Sequence, residues 1–213
     1  NYVLKHAHWD GSNWVTDTVD ASENVGLYSS LALDASGYPH ISYEGDGLKY
    51  TRWNGTDWVG SGTSPDPVTI DAAGGDHTSI ALDSSGYAHL SYEASGNLKY
   101  ARWDGSDWVG SGTSPDPVTI DATSQGFTSI VLDVSGFPHI SYYDSLDDCL
   151  KYARWNGTDW VGAISDSGPD VVDGSGNVGS HTSLALDSMS YPGISYRDET
   201  DGNLKYARGW LGE

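Results

Sequence analysis

The chain is poor in bases, in sulfur and in long apolar runs, and each shortage excludes something. Lys and Arg together number 10 against 30 Asp and Glu, a formal net charge of −20. Nucleic acid requires Lys/Arg patches on its phosphates, and a field of this sign repels them, so no nucleic-acid partner is expected. Cys149 is the single cysteine, which rules out an internal disulfide framework and any CxxC metal pattern. No apolar run reaches membrane-spanning length, so no membrane insertion is expected. The chain opens at Asn1 with neither Met nor a signal-peptide core, and reads as a processed or excised polypeptide. With little Lys and abundant Gly, Ser, Thr, Asp, Tyr and Trp, the composition points to a secreted bacterial or archaeal protein, extracellular or on the cell surface.

What is present is a repeat. "LKYARWNGTDWVG" at 150–162 recurs almost unchanged at 48–60 and 98–110, more loosely at 4–15, and in broken form as "LKYARGWLGE" at the end. Lys5, Lys49, Lys99, Lys151 and Lys205 mark copies 44 to 54 residues apart, a period that means solenoids, propellers or arrays. Each unit holds four strand-like segments. The first is "SSLALD" (29–34) with its copies, and the second is "PHISYE" (39–44) after a Ser-Gly turn. The third is "LKYARW", and the fourth runs from the second Trp towards "VTIDA". All are rich in β-branched and aromatic residues with period-2 alternation, and no segment carries a capped helical period. "WNGT" and "WDGS" place Asn-Gly or Asp-Gly between strands, which predicts a two-residue hairpin with both turn residues at positive φ.

Four antiparallel strands per unit of this length is the blade of a β-propeller, packed on both faces by its neighbours. The expected fold is therefore all-β: a single propeller domain over 1–213, with units at about 1–27 (partial), 28–77, 78–127, 128–181 and 182–213 (partial). "LK" strands occur five times and the other types four times. The sequence thus favours four blades, closed by combining 182–208 with the N-terminal strand at 12–20. A five-bladed or oligomer-completed ring is the alternative, and the spare "LK" strand offers a route to self-association.

The "PHISYYD" strand (138–144), the "LKYARW" strand and the "WDGSDW" hairpin (103–108) resemble the tandem repeats of secreted bacterial β-propeller proteins of the sialidase-like type. The W-D-G-x-x-W hairpin is also similar to that of fucose-binding propeller lectins. The resemblance implies a propeller scaffold and a carbohydrate ligand. The sialidase Asp box is not matched, since "LDSSGYAHL" sets Asp and Gly one position too far apart. Where those lectins hold sugar with Arg and Glu, this chain has Ser141 and Tyr152 and their copies, so fucose specificity does not carry over.

The candidate chemistry follows the repeat. Of each Trp pair, the second (Trp58, Trp108, Trp160) is the candidate sugar platform, because a ring beside a turn offers a flat apolar face and an N–H donor. The first is assigned to packing, and Trp210 stands alone. His40, His89 and His139 share one strand slot with Ser42, Ser91 and Ser141, followed by Glu44 and Glu93. Alternating neighbours on one strand cannot form the bent chain of a hydrolytic triad, so these are binding candidates and no catalytic residue is assigned. Arg52, Arg102, Arg154 and Arg208 are expected to clamp Asp34, Asp83, Asp133 and Asp187, or the turn acids Asp57, Asp107 and Asp159, because a partly buried guanidinium needs an acid; the alternative is a grip on an acidic sugar. His77 and His181 fill a slot held elsewhere by Tyr28 and Phe127 and read as packing. His6 and His8 replace the Tyr and Arg of other copies, and the spacing alone shows no metal geometry, so no metal site is assigned. Ca²⁺ is the one cofactor considered, through "SLDDC" (145–149), "SPDP" (64–67, 114–117) and "DETDG" (198–202), though none has a recognisable calcium loop. Asn54 and Asn156 stand in glycosylation sequons. Near-identical slots favour avidity over turnover. The expected function is a non-catalytic, multivalent, lectin-like module whose partner is a glycan or cell-surface polysaccharide. The alternatives are a sialidase-like glycoside hydrolase and a structural subunit of an extracellular filament or surface layer.

Overall fold

The computed structural model describes residues 2–62, 66–112, 116–122, 126–162 and 168–209. Among these there is no helix, and the strands form five antiparallel sheets in chain order. The first sheet holds β1 (Leu4–Trp9) and β2 (Trp14–Asp20). The second runs β3 (Leu27–Leu33), β4 (Pro39–Gly45), β5 (Gly47–Trp53), with β6 (Trp58–Val59) and β7 (Val68–Asp71) both on the far edge of β5. The third repeats this with β8 (Asp76–Leu82), β9 (Ala88–Ala94), β10 (Asn97–Trp103), β11 (Trp108–Val109) and β12 (Val118–Asp121). The fourth has β13 (Thr128–Leu132), β14 (Pro138–Asp144), β15 (Cys149–Trp155), β16 (Trp160–Val161) and β17 (Asp170–Asp173). The last holds β18 (Val178–Leu186), β19 (Pro192–Asp198) and β20 (Asn203–Arg208).

These are the blades of a propeller, and the core lies between them. Leu48 and Tyr50 of one blade pack with Ile80, Leu90 and Tyr92 of the next. Leu98 and Tyr100 meet Ile130, Ile140 and Tyr142 in the same way, and Leu150 and Tyr152 meet Val178, Ile194 and Tyr196. Burial on both faces is why the strands read as apolar on both faces. Stability is then built from nearest-neighbour interfaces, at roughly 1.5–3 kcal/mol for each large apolar side chain buried. Tyr28, His77, Phe127 and His181 stack in file at centroid distances of 4.1, 4.4 and 4.2 Å. All four hold φ near +50°, where the first strand of each blade begins.

Three expectations are corrected. The fourth strand is not continuous: after Val59 the chain leaves the ladder at Gly60 and returns at Val68, because Gly62 sits at φ +60° and Pro67 has no N–H to give a partner. The Asn-Gly hairpin is a four-residue loop. Asn54 Oδ1 accepts N–H bonds from Thr56 and Asp57 at 2.9 and 2.8 Å, and only Gly55 takes positive φ. Among the described residues, the mixed blade of 182–208 with the strand at 12–20 is not formed either. The edge of β2 is already taken by β1, with Leu4 opposite Asp20, Lys5 opposite Thr18 and a bulge between. That is the register β5 uses with β7, where Leu48 faces Asp71 and Lys49 faces Thr69. Among the described residues β20 pairs only with β19. Leu204 and Tyr206, the counterparts of buried Leu48 and Tyr50, consequently stay exposed, as do Leu31 and Leu33 at the other end.

Candidate functional site

At one end of the blades, the Asp closing each fourth strand receives the next blade. Tyr43, Tyr92, Tyr142 and Tyr196 donate to Asp20, Asp71, Asp121 and Asp173 at 2.6–2.9 Å. The "LK" lysine joins the same carboxylate: Lys99 to Asp71 at 2.7 Å, Lys151 to Asp121 at 3.2 Å, Lys205 to Asp173 at 3.1 Å, and Lys49 to Asp20 at 3.6 Å. Burial works to raise Asp71, but Lys99, the Ala73 N–H and Tyr92 outweigh it and hold the carboxyl below its ordinary value. The clamp between blades is thus made by lysine and tyrosine, on carboxylates other than the turn acids that arginine was expected to meet. The reason is position: Arg lies three residues further along the strand, at its opposite end.

That opposite end carries a second repeated cluster. In the turn after the first strand, Asp83 Oδ1 accepts the N–H groups of Ser85 and Tyr87 at 2.8 and 2.9 Å, an Asx turn with Gly86 at φ +78°. The other oxygen faces His89 Nε2 at 3.8 Å, beyond hydrogen-bond distance. His89 Nδ1 lies 2.6 Å from Tyr100 Oη. Asp34–His40–Tyr50 repeats the row at 3.8 and 2.6 Å, and Asp133–His139–Tyr152 repeats it with a 3.7 Å first step. Burial is the main cause that pulls His89 down to about 4 and lowers His40 and His139 as well, while it raises the tyrosines. Burial thus favours the neutral imidazole, and each ring shares one hydrogen bond through Nδ1 with the tyrosine hydroxyl. Arg102 and Arg154 do not reach the turn Asp by an ion pair; their Nε donates to Gly110 O at 3.2 Å and Gly162 O at 3.1 Å. In the last blade Gly193 replaces the histidine, and there Arg208 does meet Asp187 at 3.1 Å.

Between the third and fourth sheets these groups line a groove of about 480 Å³. Asp83, His89, Tyr100 and Arg102 form one wall, and Phe137 and Trp155 form the other. It holds a carboxylate, a guanidinium and a flat aromatic face, the set that meets sugar hydroxyls and C–H groups. Between the first and second sheets a groove of about 610 Å³ is walled by Trp9, Leu33, Tyr38, Trp53 and Trp58. His6, His8 and Asp17 share its floor.

Two of the three candidate tryptophans depart from expectation. Trp108 and Trp160 pack edge-on against Tyr50 and Tyr100 of the preceding blade at 5.0 and 5.1 Å, and donate to Ser61 and Ser111 at 2.9 and 3.0 Å. Trp58 does line a groove, and so do Trp53 and Trp155, each the first of its pair. The sequence contained the signal: "VGSG" follows the second Trp, and its serine is the acceptor waiting for the next blade's indole. Trp210 lies outside the described residues.

Glu44 and Glu93 are not in this site. They stand four residues along the strand from His40 and His89, about 13 Å away. Burial and their common neighbour Asp76 hold both carboxyls above the ordinary value, and Tyr143 and Arg197 take that position in later copies. Ser42, Ser91 and Ser141, between the two ends, are fully buried and bond Thr78, Thr128 and Thr182 of the next blade. Among the calcium candidates, Lys151 pairs with Asp147 of the "SLDDC" turn and with Asp144 just before it, and Lys205 pairs with Asp198 of "DETDG". The "SPDP" segments fall partly outside the described residues. Asn54 and Asn156 are exposed, with Oδ1 spent on the turn. Cys149 is buried, and burial foremost, then Asp144, pushes its thiol up to about 11, a structural thiol.

No protein-family model matches the sequence, and no curated protein matches it. Solved structures do resemble it in fold. An intramolecular trans-sialidase from Ruminococcus gnavus, in complex with oseltamivir carboxylate, superposes with TM-score 0.54 at 15% identity, over 93% of this chain and 48% of that one. A sialidase from Streptococcus pneumoniae gives 0.55 at 16%, over 92% and 33%. An exo-β-1,3-galactanase from Phanerochaete chrysosporium, with galactose, gives 0.52 at 12%, over 92% and 50%. The chain spans half or less of the length of these three.

Proposed function

We propose that the chain is a non-catalytic, multivalent carbohydrate-binding module acting outside the cell. The observation that carries this reading is repetition. The row of turn Asp, His and Tyr, with Arg beside it, is built on three successive blades, so one ligand chemistry is offered several times. Linked weak sites multiply in avidity. The fold neighbours are proteins whose names and ligands concern sialic acid and galactan, which supports a glycan partner. Arg102 suits a carboxylated sugar, and Trp155 suits the apolar face of a pyranose. Sialylated and β-1,3-galactosyl glycans on an array, followed by calorimetry, test it. Binding is expected to fall at least tenfold in Arg102→Ala and in Trp155→Ala. Silence of the wild-type chain towards every glycan at millimolar concentration overturns it.

One observation favours a hydrolase as a second reading. Glu44, Asp76 and Glu93 crowd together, and burial and Asp76 raise the carboxyls of Glu44 and Glu93 above their ordinary value, the direction that suits a general acid. Turnover of fluorogenic sialosides or galactosides that Glu93→Gln abolishes is the expected sign, and its absence removes this reading.

A further inference from the structure

The groove between the first two sheets departs from its sisters at three positions at once. Where Tyr50 and Arg52 stand on β5, β1 carries His6 and His8. Where Val68 stands opposite Tyr50, β2 carries Asp17 opposite His6. His6 and His8, two residues apart on one strand, face the same way. Their Nδ1 atoms lie 3.9 and 3.8 Å from one oxygen, Asp17 Oδ2, and one donor atom from each of the three residues falls within 4.8 Å of the others. The imidazole rings stack at 5.5 Å with 19° between their planes.

Two buried nitrogens in this groove are left without partners, His6 Nδ1 and Trp58 Nε1, and the rings that bear them are 5.3 Å apart. Their counterparts elsewhere are satisfied: Tyr50 Oη by His40, Trp108 Nε1 by Ser61 and Trp160 Nε1 by Ser111. Buried polar atoms are rarely left unpaired. The repeat thus shows what a fully protein-satisfied groove looks like, and this one awaits a further group.

We propose that His6, His8 and Asp17 bind a divalent transition-metal ion, with Zn²⁺ the expected occupant. Two neutral imidazoles and a carboxylate are the donor set of open zinc sites, whereas Ca²⁺ and Mg²⁺ prefer oxygen. Tetrahedral bonds of about 2.1 Å put donors about 3.4 Å apart. The two His–Asp17 pairs must therefore close by about half an ångström, and the two imidazole donors must also come within that spacing; half-exposed His8 and Asp17 have room to rotate. The fourth position opens into the groove between Trp9, Trp53 and Trp58. This inference is independent of glycan binding in the other grooves.

The test is isothermal titration of Zn²⁺ into the full chain, free of any affinity tag and stripped with EDTA, with Co²⁺ absorption as the reporter of geometry. One equivalent is expected to bind with micromolar affinity and to give the visible bands of a low-coordinate Co²⁺ site. Imidazole NMR resonances of His6 and His8 should shift on metal addition. His8→Arg and His6→Tyr install residues that the sister blades carry at those positions. Each should keep the native circular dichroism and weaken Zn²⁺ at least tenfold. His8 is exposed, so His8→Arg alone decides the matter if His6→Tyr disturbs the hairpin. Absence of saturable binding below a millimolar, or wild-type affinity in His8→Arg, overturns the proposal.

Discussion

Acidification should unfold this protein through its buried histidines, well above the range where carboxylates titrate. His89 is 6% exposed, and its Nδ1 shares a 2.6 Å hydrogen bond with Tyr100 Oη. Burial pulls it from 6.5 to about 4. A base whose folded value is depressed binds fewer protons in the native state than in the unfolded state. Its contribution is therefore complete above pH 6.5 and is lost as pH falls from 6.5 towards 4. The full shift corresponds to about 3 kcal/mol, of which about 2 kcal/mol is gone by pH 5. His40 and His139 shift in the same direction for the same reason and add to the loss. Glu44 and Glu93 act oppositely: their raised values make them stabilising at low pH and costly as pH rises. The lowered Asp20 and Asp71 lose their contribution only below about pH 4. Urea denaturation followed by tryptophan fluorescence in half-unit steps from pH 7.5 to 4.5 measures the sum. His89→Gln isolates the contribution of one histidine, because an amide can bond Tyr100 without titrating. The midpoint is expected to drop steeply in the wild type and less steeply in the variant. A flat wild-type profile, or identical slopes in the two proteins, refutes the reasoning.

Tyr142→Phe removes one hydroxyl from the Tyr142–Asp121–Lys151 clamp and should cost about 1–2 kcal/mol by equilibrium denaturation. Gly47 sits at φ +93° with the Asp71 carbonyl oxygen 2.3 Å from where a Cβ would stand. Gly47→Ala should therefore cost more than about 2 kcal/mol, whereas Gly37→Ala, at φ +78° in open space, should cost about 1 kcal/mol. Asp76→Asn relieves the repulsion around Glu44 and Glu93 and should raise the neutral-pH melting temperature by a few degrees.

The blade was legible because its signals are local. Alternation, β-branching and the Ser-Gly turn fix where a strand starts and which way its residues point, and the repeat supplies the rest by stacking. Lysine's role was missed because Asp71 lies 28 residues from Lys99, on another blade, and no spacing rule connects them. Arg208 shows how thin the sequence margin was. Its pairing with Asp187 exists, but only where Gly193 has removed the histidine that stands beside that carboxylate in the other blades. Trp108 and Trp160 were misread for a similar reason. Both of a pair flank one loop, and which faces solvent depends on the neighbouring blade's serine, a residue in the previous repeat. Asp17 escaped notice because β2 is a loose copy whose acid replaces a valine, which carries meaning only once the strands are in register.

Repeats inside one chain also act as a control that a single site lacks. The Tyr–Asp contact recurs at all four interfaces between blades, with lysine beside it each time, so its task is to hold blades together. The opposite end varies. Tyr and Arg become His6 and His8 in the first blade, His becomes Gly193 in the last, and the Asp–His–Tyr row is kept in the three between. Structural demand is the same at every interface, and the clamp at the other end already meets it. The clamp residues are constant while the groove residues change, so on the proposed reading the groove is the surface where ligand chemistry would differ from blade to blade. On that argument, exchanging the groove residues of two neighbouring blades should move ligand preference between them and leave the unfolding free energy within about 1 kcal/mol of wild type. A large loss of stability from such an exchange would show instead that the groove residues, like the clamp, belong to the scaffold.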